Sequence, residues 1–90
     1  NSAERIRAAE TNFQAATVLL PHGVDQAVAR FKWADCLFSR GEAAGAATNY
    51  LQVATGYPDV AEARSLVEPA LHQTVIAATE AGDAASAKAA

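Results

Sequence analysis

The residues that decide the fold are IRAAETNFQAATVLLP, at positions 6–21, and AAGAATNYLQVATGYP, at positions 43–58. Each stretch carries an apolar residue, an alanine, an aromatic residue, a small apolar residue and a closing proline, and the second set follows the first by 37 positions: Ile6, Ala9, Phe13, Ala16 and Pro21, then Ala43, Ala46, Tyr50, Val53 and Pro58. Steps of three and four place the first four members of each set on one helical face. The proline then ends the helix because it lacks an amide donor. Since a period of about 20–50 residues is typical of helical arrays, the sequence predicts stacked helices.

Composition favours helices over strands. Of the 90 residues, 24 are alanine, the best helix former because it loses no side-chain entropy in a helix. Alanine also lets neighbouring helices approach closely, near the short end of the interaxial range of about 8–10 Å, and Gly45 is expected to permit close contact in the same way. β-branched residues are sparse and never alternate over the length of a strand. The predicted fold class is therefore all-α.

Charge and hydropathy argue against two classes of partner. The net charge is −3, and the seven Lys and Arg residues are spread along the chain, whereas a nucleic-acid-binding surface needs them clustered. The apolar runs are far shorter than the ~18 residues of a membrane-spanning helix. We therefore predict neither nucleic-acid binding nor direct membrane insertion. Residues 46–90 hold five acidic and two basic residues, which a solvated helix face explains and which would also favour a basic partner.

Turn and capping residues predict five helices, at about 2–20, 24–39, 42–55 and 59–81, and from 84 onward. Gly41 supplies a left-handed residue that ends the second helix. Asp59, followed three residues later by Glu62, resembles a capping box that starts the fourth. Pro69 either kinks this helix or divides it, and we expect a kinked continuous helix. The pair Gly82-Asp83 is expected to end the fourth helix and cap the fifth.

Residues of the types that packed helical hairpins need recur along the chain. Small or apolar residues are expected where helices cross (Ala34 and Leu37 in the second helix; Ala9, Ala46 and Ala87 in others), and the aromatic residues Phe13 and Tyr50 are expected to fill the space inside the hairpins. Gly41-Glu42 and Gly82-Asp83 are expected to form the turns, and Pro21 and Pro58 to end helices. In this pattern the chain resembles the tetratricopeptide-repeat family. The resemblance implies antiparallel helical hairpins stacked as an α-solenoid segment of about five helices. It divides the single domain, residues 1–90, into the second half of a repeat at 1–21, a complete repeat at 24–58 and a lengthened incomplete repeat at 59–90.

The chain departs from the family pattern at three positions. Arg30 stands where tryptophan is usual, Trp33 where leucine is usual, and Val75 where the third unit needs a small residue. The intervals from proline to the next glycine turn, 20 and 24 residues, lengthen the first helix of each repeat. Such helices with Gly-Tyr-Pro exits are similar to divergent repeats of bacterial cell-envelope assembly proteins. The compartment stays open between the cytoplasm and the bacterial cell envelope.

The resemblance also implies a binding surface, on the concave face formed mainly by the first helix of each repeat. In the complete repeat that face would hold a stripe of residues that also has helical spacing: Val28, Phe31, Asp35, Phe38 and Ser39. Two phenylalanines beside an aspartate would seat an apolar side chain and anchor a donor. In the third unit the same face would hold His72, Ile76, Thr79 and Glu80. The alternative is that Phe31 and Phe38 are ordinary core between repeats.

The motifs do not predict catalysis, a metal or a cofactor. His72 lies four residues after Glu68 on one helix face, but a zinc site needs three or four ligands and His22 is fifty residues away. Cys36 lacks a nearby histidine in sequence, so a buried, unreactive thiol is expected. We expect Trp33 to lie in the core, with an interface hot spot as the alternative.

The predicted function is that of a non-catalytic scaffold that binds a protein or peptide on its concave face. One alternative is a structural spacer or oligomerisation segment of a larger multi-repeat protein. Another is an accessory domain that binds a small ligand in a closed apolar cavity. Since about three repeats are usually needed for stability and this chain has roughly two and a half, we expect either a segment of a longer array or self-association through its open ends.

Overall fold

The computed structural model describes the backbone of residues 1–89 and the side chains of residues 1–86. Within this part of the chain the regular structure consists of four α-helices and a short 3-10 helix: α1 Ser2–Leu19, α2 Val24–Ser39, α3 Ala43–Thr55, the 3-10 helix Ala61–Ala63 and α4 Arg64–Ala89. Residues 1–89 contain no strand. The all-α prediction is confirmed.

Helix α1 begins at Ser2, as predicted, and Asn1 caps it. The Asn1 side chain accepts a hydrogen bond from the Glu4 amide at 3.0 Å, and the amino group of Asn1 donates to the Glu4 carboxylate at 3.2 Å. This reciprocal pair satisfies donors that the helix start leaves free. At the other end Leu20 is extended, with φ −71° and ψ 145°, because the following Pro21 disfavours the helical conformation of the residue before it.

The turn between α2 and α3 forms as the sequence predicted. Gly41 has a φ of 87°, a left-handed conformation that glycine adopts without a Cβ penalty. The amide of Glu42 donates to the Leu37 carbonyl at 2.8 Å, and the amide of Gly41 donates to the Phe38 carbonyl at 3.1 Å. These two bonds are those of a Schellman motif. They reverse the chain within three residues and bring α3 back along α2.

The start of α4 differs from the prediction. Residues Ala61–Ala63 form the 3-10 helix, and α4 begins at Arg64 and not at Asp59. Val60 is extended, with φ −107° and ψ 101°, and no side chain caps the element. Asp59 instead accepts a hydrogen bond from His22 Nε2 at 2.9 Å. The capping-box prediction was wrong because this carboxylate is hydrogen-bonded to His22 of the loop between α1 and α2.

Helix α4 continues through both positions expected to disturb it. Pro69 lies inside the helix, so the continuous helix expected there is confirmed. Gly82 also lies inside α4, and the predicted stop at Gly82-Asp83 and the fifth helix were wrong. A glycine within a helix costs only about 1 kcal/mol relative to alanine, and alanines on both sides favour continuation. Ala87, predicted to be a crossing residue of the fifth helix, has a side chain outside the described residues.

Successive helices pack side by side in chain order. Helix α2 packs against α1 and α3, and α4 packs against α3 with a smaller contact to α2. Within the described residues α1 contacts neither α3 nor α4. The helices therefore form an open row, with Cα extents of 44 × 29 × 16 Å, and not a closed four-helix bundle.

Alanine supplies most of the core where these helices meet. The alanines that are nearly or fully buried are Ala27, Ala29, Ala34, Ala43, Ala46, Ala63, Ala70 and Ala77. Tyr50 of α3, 1% exposed, fills the space between these small residues and packs with Leu37 of α2. Val75, which stands where the third unit of the repeat pattern needs a small residue, is 66% exposed. Another helix of the described chain does not cover it, because residues 84–89 continue α4.

Candidate functional site on the α2 face

The predicted binding stripe lies along one face of α2. Its five members, which we call the α2 face, are Val28, Phe31, Asp35, Phe38 and Ser39. The three apolar members are half-buried, whereas the aspartate and the serine are exposed. The stripe is therefore an apolar strip with polar groups open to solvent.

Each phenylalanine of the α2 face has one side on the core. Phe31 and Phe38 both pack against the buried cluster that surrounds Tyr50. The rings of Phe31 and Tyr50 meet edge to face, with centroids 5.3 Å apart and planes inclined by 72°, a favoured arrangement of aromatic pairs. Both phenylalanines thus support the core and also keep part of their surface accessible.

Asp35 is held in place from the neighbouring helix. The Tyr50 hydroxyl, on α3, donates a hydrogen bond to Asp35 Oδ1. Burial raises the pKa of Tyr50, and the hydrogen bond to Asp35 raises it further, while a hydrogen bond with Gln73 of α4 acts in the opposite direction. The hydroxyl stays protonated at neutral pH and remains a donor. The buried hydroxyl of α3 therefore joins this helix to Asp35 of α2.

This junction was not predicted from the sequence. The spacing identified Tyr50 as an aromatic plug equivalent to Phe13, and a plug needs only a ring. The sequence signal for the junction is the substitution of tyrosine for phenylalanine at the second plug, since a buried tyrosine hydroxyl needs a partner. Which residues supply that partner depends on tertiary packing.

A second polar contact joins α2 to α3, through residues outside the α2 face. Arg30 Nη1 donates to Asn49 Oδ1 at 2.9 Å, and Asn49 Nδ2 donates to the Gly45 carbonyl at 3.0 Å. Asn49 is 7% exposed, so these bonds satisfy a buried amide. Arg30, expected from the sequence to stand at a tryptophan position of the repeat pattern, joins the two helices by a hydrogen bond.

The predicted residues of the third unit fall on the exposed sides of α4. His72 lies in a groove of about 710 Å³ whose lining residues all belong to α4: Arg64, Ser65, Glu68, Pro69, Leu71, His72 and Val75. Because residues of α2 do not line this groove, the structure does not bring His72 together with the α2 face. Ile76 is 40% exposed, and Thr79 and Glu80 are exposed.

A polar cluster ties the loop before α2 to the loop after α3. His22 stacks on Tyr57, with ring centroids 4.8 Å apart, and its Nε2 donates to Asp59. The Tyr57 hydroxyl donates to Gln26 Oε1 at 2.8 Å. Gln26 Nε2 in turn donates to two carbonyls at the end of α1, those of Thr17 and Leu20, each at 2.9 Å. The sequence did not predict this cluster because its partners lie 31 and 37 positions apart.

The remaining reactive or aromatic side chains of α2 are accounted for by packing. Trp33 is half-buried against the core cluster, and its Nε1 is covered without a hydrogen-bond partner. Cys36 is half-buried, and burial together with Glu10 and Asp35 raises the pKa of its thiol. A raised pKa keeps the thiol protonated and weakly nucleophilic. In the described part of the chain, groups of three or more His, Cys, Asp or Glu suited to a metal ion are absent.

Comparisons with known proteins leave the family undetermined. The chain matches no family model, no curated protein and no solved structure. Among the described helices, none combines the length and the hydropathy that crossing a bilayer requires. The α2 face, with its aspartate held by Tyr50, is the candidate site that the geometry supports best.

Proposed function

We propose that this chain is a non-catalytic interaction module, a segment of a helical-repeat array, that binds a protein or peptide on the α2 face. The observation that carries the proposal is the Tyr50–Asp35 hydrogen bond. It fixes an exposed carboxylate between two half-buried phenylalanine rings, Phe31 four residues before it and Phe38 three residues after it. An acceptor held in place costs less entropy on binding than a freely rotating one.

The open row of helices supports the repeat-array part of the proposal. Each helix packs on its sequence neighbours, and α1 contacts neither α3 nor α4 within the described residues. A row of this kind keeps one side of each inner helix accessible to a partner, as stacked helical repeats do.

The chemistry of the α2 face suggests the chemistry of its partner. A carboxylate is an acceptor with about four lone-pair positions, and Tyr50 uses one of them. The others are available to a lysine, an arginine or a backbone amide of the partner. The phenylalanine rings suit an apolar side chain placed next to that donor. The net charge of −3 also favours a basic partner by long-range attraction.

Selection from a random peptide display library tests the proposal directly. We expect the whole chain to enrich peptides that combine an apolar residue with a nearby Lys or Arg. Two-dimensional NMR with an enriched peptide should then shift the amide signals of residues 28–39 more than those of α1. Binding that maps to other residues, or a failure to enrich any sequence, would reject the α2 face.

Two matched variants separate a specific contact of the Asp35 charge from general electrostatic attraction. Asp35→Asn keeps an acceptor for the Tyr50 hydroxyl but removes the charge, so it should weaken binding of a basic peptide by about tenfold. Glu62→Gln removes an exposed charge of the 3-10 helix, away from the α2 face, and should leave affinity within about twofold. Equal losses in both variants would indicate general electrostatic attraction instead of a site.

The structure supports the small-ligand alternative less well. That alternative requires a closed apolar cavity, but the groove of about 710 Å³ is lined by α4 alone and carries Arg64 and Glu68 on its walls. A groove formed by a single helix is open to solvent along its length. It suits another helix better than an enclosed small molecule.

A further inference from the structure

Two outward sides of the molecule carry exposed apolar side chains. On α1, Val18 and Leu19 are 73% and 81% exposed; on α4, Leu71 and Val75 are 44% and 66% exposed. Within the described residues α1 contacts neither α3 nor α4, so the two helices cannot cover one another within one chain. Exposed apolar surface of this kind commonly marks an interface.

The two sides have the same residue spacing. We define the α1 outer face as Arg7, Ala8, Thr11, Ala15, Val18 and Leu19, and the α4 outer face as Leu71, His72, Val75, Thr79, Gly82 and Asp83. All twelve residues are exposed. Successive members of both faces are separated by one, three, four, three and one residues. Each face therefore forms a single stripe about 18 Å long.

Antiparallel pairing brings complementary residues to the same level. Consecutive helices joined by short turns, as α2 and α3 are here, pack antiparallel, and we apply that geometry between α1 of one copy and α4 of another. Placing Leu19 beside Leu71 fixes which other residues lie at the same height along the two helix axes. These pairs, which we call levels, are Val18 with His72, Ala15 with Val75, Thr11 with Thr79, Ala8 with Gly82, and Arg7 with Asp83. A small residue then faces a large one, a hydroxyl faces a hydroxyl, and a cation faces an anion.

Three of the six pairings match in size or charge. Ala8 opposite Gly82 allows close approach of the two backbones, and Ala15 leaves room for Val75. Arg7 and Asp83 form an exposed pair of opposite charge, which selects the register more than it adds affinity. The pairing brings together no like charges at any of the six levels.

We propose that a second copy of this chain packs its α1 outer face against the α4 outer face of the first. The contact is head to tail, so a pair of copies still has one α1 outer face and one α4 outer face free, and association continues without closing. It uses no residue of the α2 face and therefore does not depend on the proposed peptide site. A row of copies would extend the helical row already present within one chain.

Sedimentation velocity over micromolar to millimolar concentrations tests the proposal. The whole chain should gain mass continuously with concentration, without a plateau at the dimer. Leu19→Glu and Val75→Glu should each weaken association by roughly tenfold to a hundredfold, because each places a carboxylate in an apolar contact. Leu51→Glu is the matched control, since Leu51 is 44% exposed on α3 and belongs to neither face. It should associate like the original chain.

Mixing the two variants distinguishes a head-to-tail contact from other arrangements. Leu19→Glu retains its α4 outer face and Val75→Glu retains its α1 outer face, so an equimolar mixture should form a heterodimer and nothing larger. A chain that stays monomeric at millimolar concentration would overturn the proposal. So would a plateau at a symmetric dimer, or a variant mixture that stays monomeric while the Leu51→Glu control associates.

Circular dichroism keeps these outcomes separate from misfolding. Both substituted side chains are exposed, so the helical signal and the melting temperature of each variant should match those of the original chain under dilute conditions. A charge exchange provides a further test of the register. Arg7→Asp should weaken association, and adding Asp83→Arg in the same chain should restore it; failure of the exchange to restore association would overturn the assigned register.

Discussion

The hydroxyl of Tyr50 on α3 donates a hydrogen bond to the carboxylate of Asp35 on α2, although the tyrosine is 1% exposed and the aspartate is exposed. The bond therefore runs from the core to the surface. Burial and the bond to Asp35 raise the pKa of Tyr50, so the hydroxyl remains a donor throughout the neutral range. The same contact stabilises the helix pair and orients the acid of the α2 face.

Tyr50→Phe should lower the free energy of unfolding by about 1 kcal/mol, the usual net value of an intramolecular hydrogen bond. The ring and its packing are retained, and the exposed Asp35 is solvated by water after the hydroxyl is lost. Urea denaturation followed by circular dichroism measures the change. Asp35→Asn keeps an acceptor and should lose less. If Tyr50→Phe is as stable as the original chain, the hydrogen bond makes no net contribution to the free energy of unfolding.

The sequence predicted the parts of this arrangement that depend on local spacing. The steps of three and four identified Tyr50 and Val53 as one buried helical face, and the glycine after α2 identified the left-handed turn at Gly41. It did not predict that the Tyr50 hydroxyl donates to Asp35. That contact depends on how α3 lies against α2, and single-sequence periodicity carries no information on how two helices face each other.

Two errors in the sequence-based interpretation came from strong local preferences that their surroundings overrode. Asp59 and Gly82 both have strong local preferences, for helix caps and helix ends respectively. Asp59 is instead hydrogen-bonded to His22 of the loop between α1 and α2, and Gly82 lies in an alanine-rich segment that favours a continued helix. Local propensity was overridden by a tertiary contact in the first case and by neighbouring residues in the second.

The His22–Asp59 pair should make stability depend on pH in the acid range. The hydrogen bond from His22 is the main cause that lowers the pKa of Asp59. As the pH falls through the ordinary aspartate pKa of about 3.9, the unfolded chain therefore binds a proton at Asp59 more readily than the folded chain. The stabilisation is present above that range and is lost as the pH drops through the lowered pKa of Asp59.

Thermal melts between neutral pH and strongly acid pH measure this effect. The melting temperature of the original chain should fall more steeply on acidification than that of Asp59→Asn, which has no carboxyl to protonate at this position. Glu68→Gln, a change at an exposed residue of α4, should show the same steep fall of the melting temperature on acidification as the original chain. Parallel curves for the original chain and Asp59→Asn would show that the pair does not contribute.

Cys36 should react slowly with alkylating agents in the folded chain. Burial is the largest cause that raises its thiol pKa, and Glu10 and Asp35 raise it further. At pH 8 we expect iodoacetamide to modify Cys36 more slowly than it modifies a free cysteine, whose pKa is about 8.5. Unfolding in guanidinium chloride should restore the ordinary rate. A folded-state rate above that of free cysteine would indicate an activated thiol.

Gly41→Ala should destabilise the chain by about 1–2 kcal/mol, the cost of placing a side chain in the left-handed region. A Cβ at Gly41 would meet nothing within 4 Å, so the loss comes from the φ of 87° and not from a clash. Gly41→Asn should lose less, because asparagine tolerates this conformation better. Equal losses for Ala and Asn, measured by urea denaturation, would point to a cause other than backbone conformation.

Gly45→Ala should stabilise the chain, whereas Gly41→Ala destabilises it, although Gly45 also lies near the α2–α3 turn. This glycine is inside α3, and an added Cβ would lie 3.6 Å from Leu37 Cδ1, an ordinary van der Waals contact. The helix can therefore accept the methyl group without moving away from α2. Replacing an interior helical glycine by alanine removes backbone entropy from the unfolded chain, and we expect a gain of about 0.5–1 kcal/mol. The sequence-based interpretation, that glycine is needed here for close helix contact, requires a loss instead, and the sign of the change in urea denaturation decides between them.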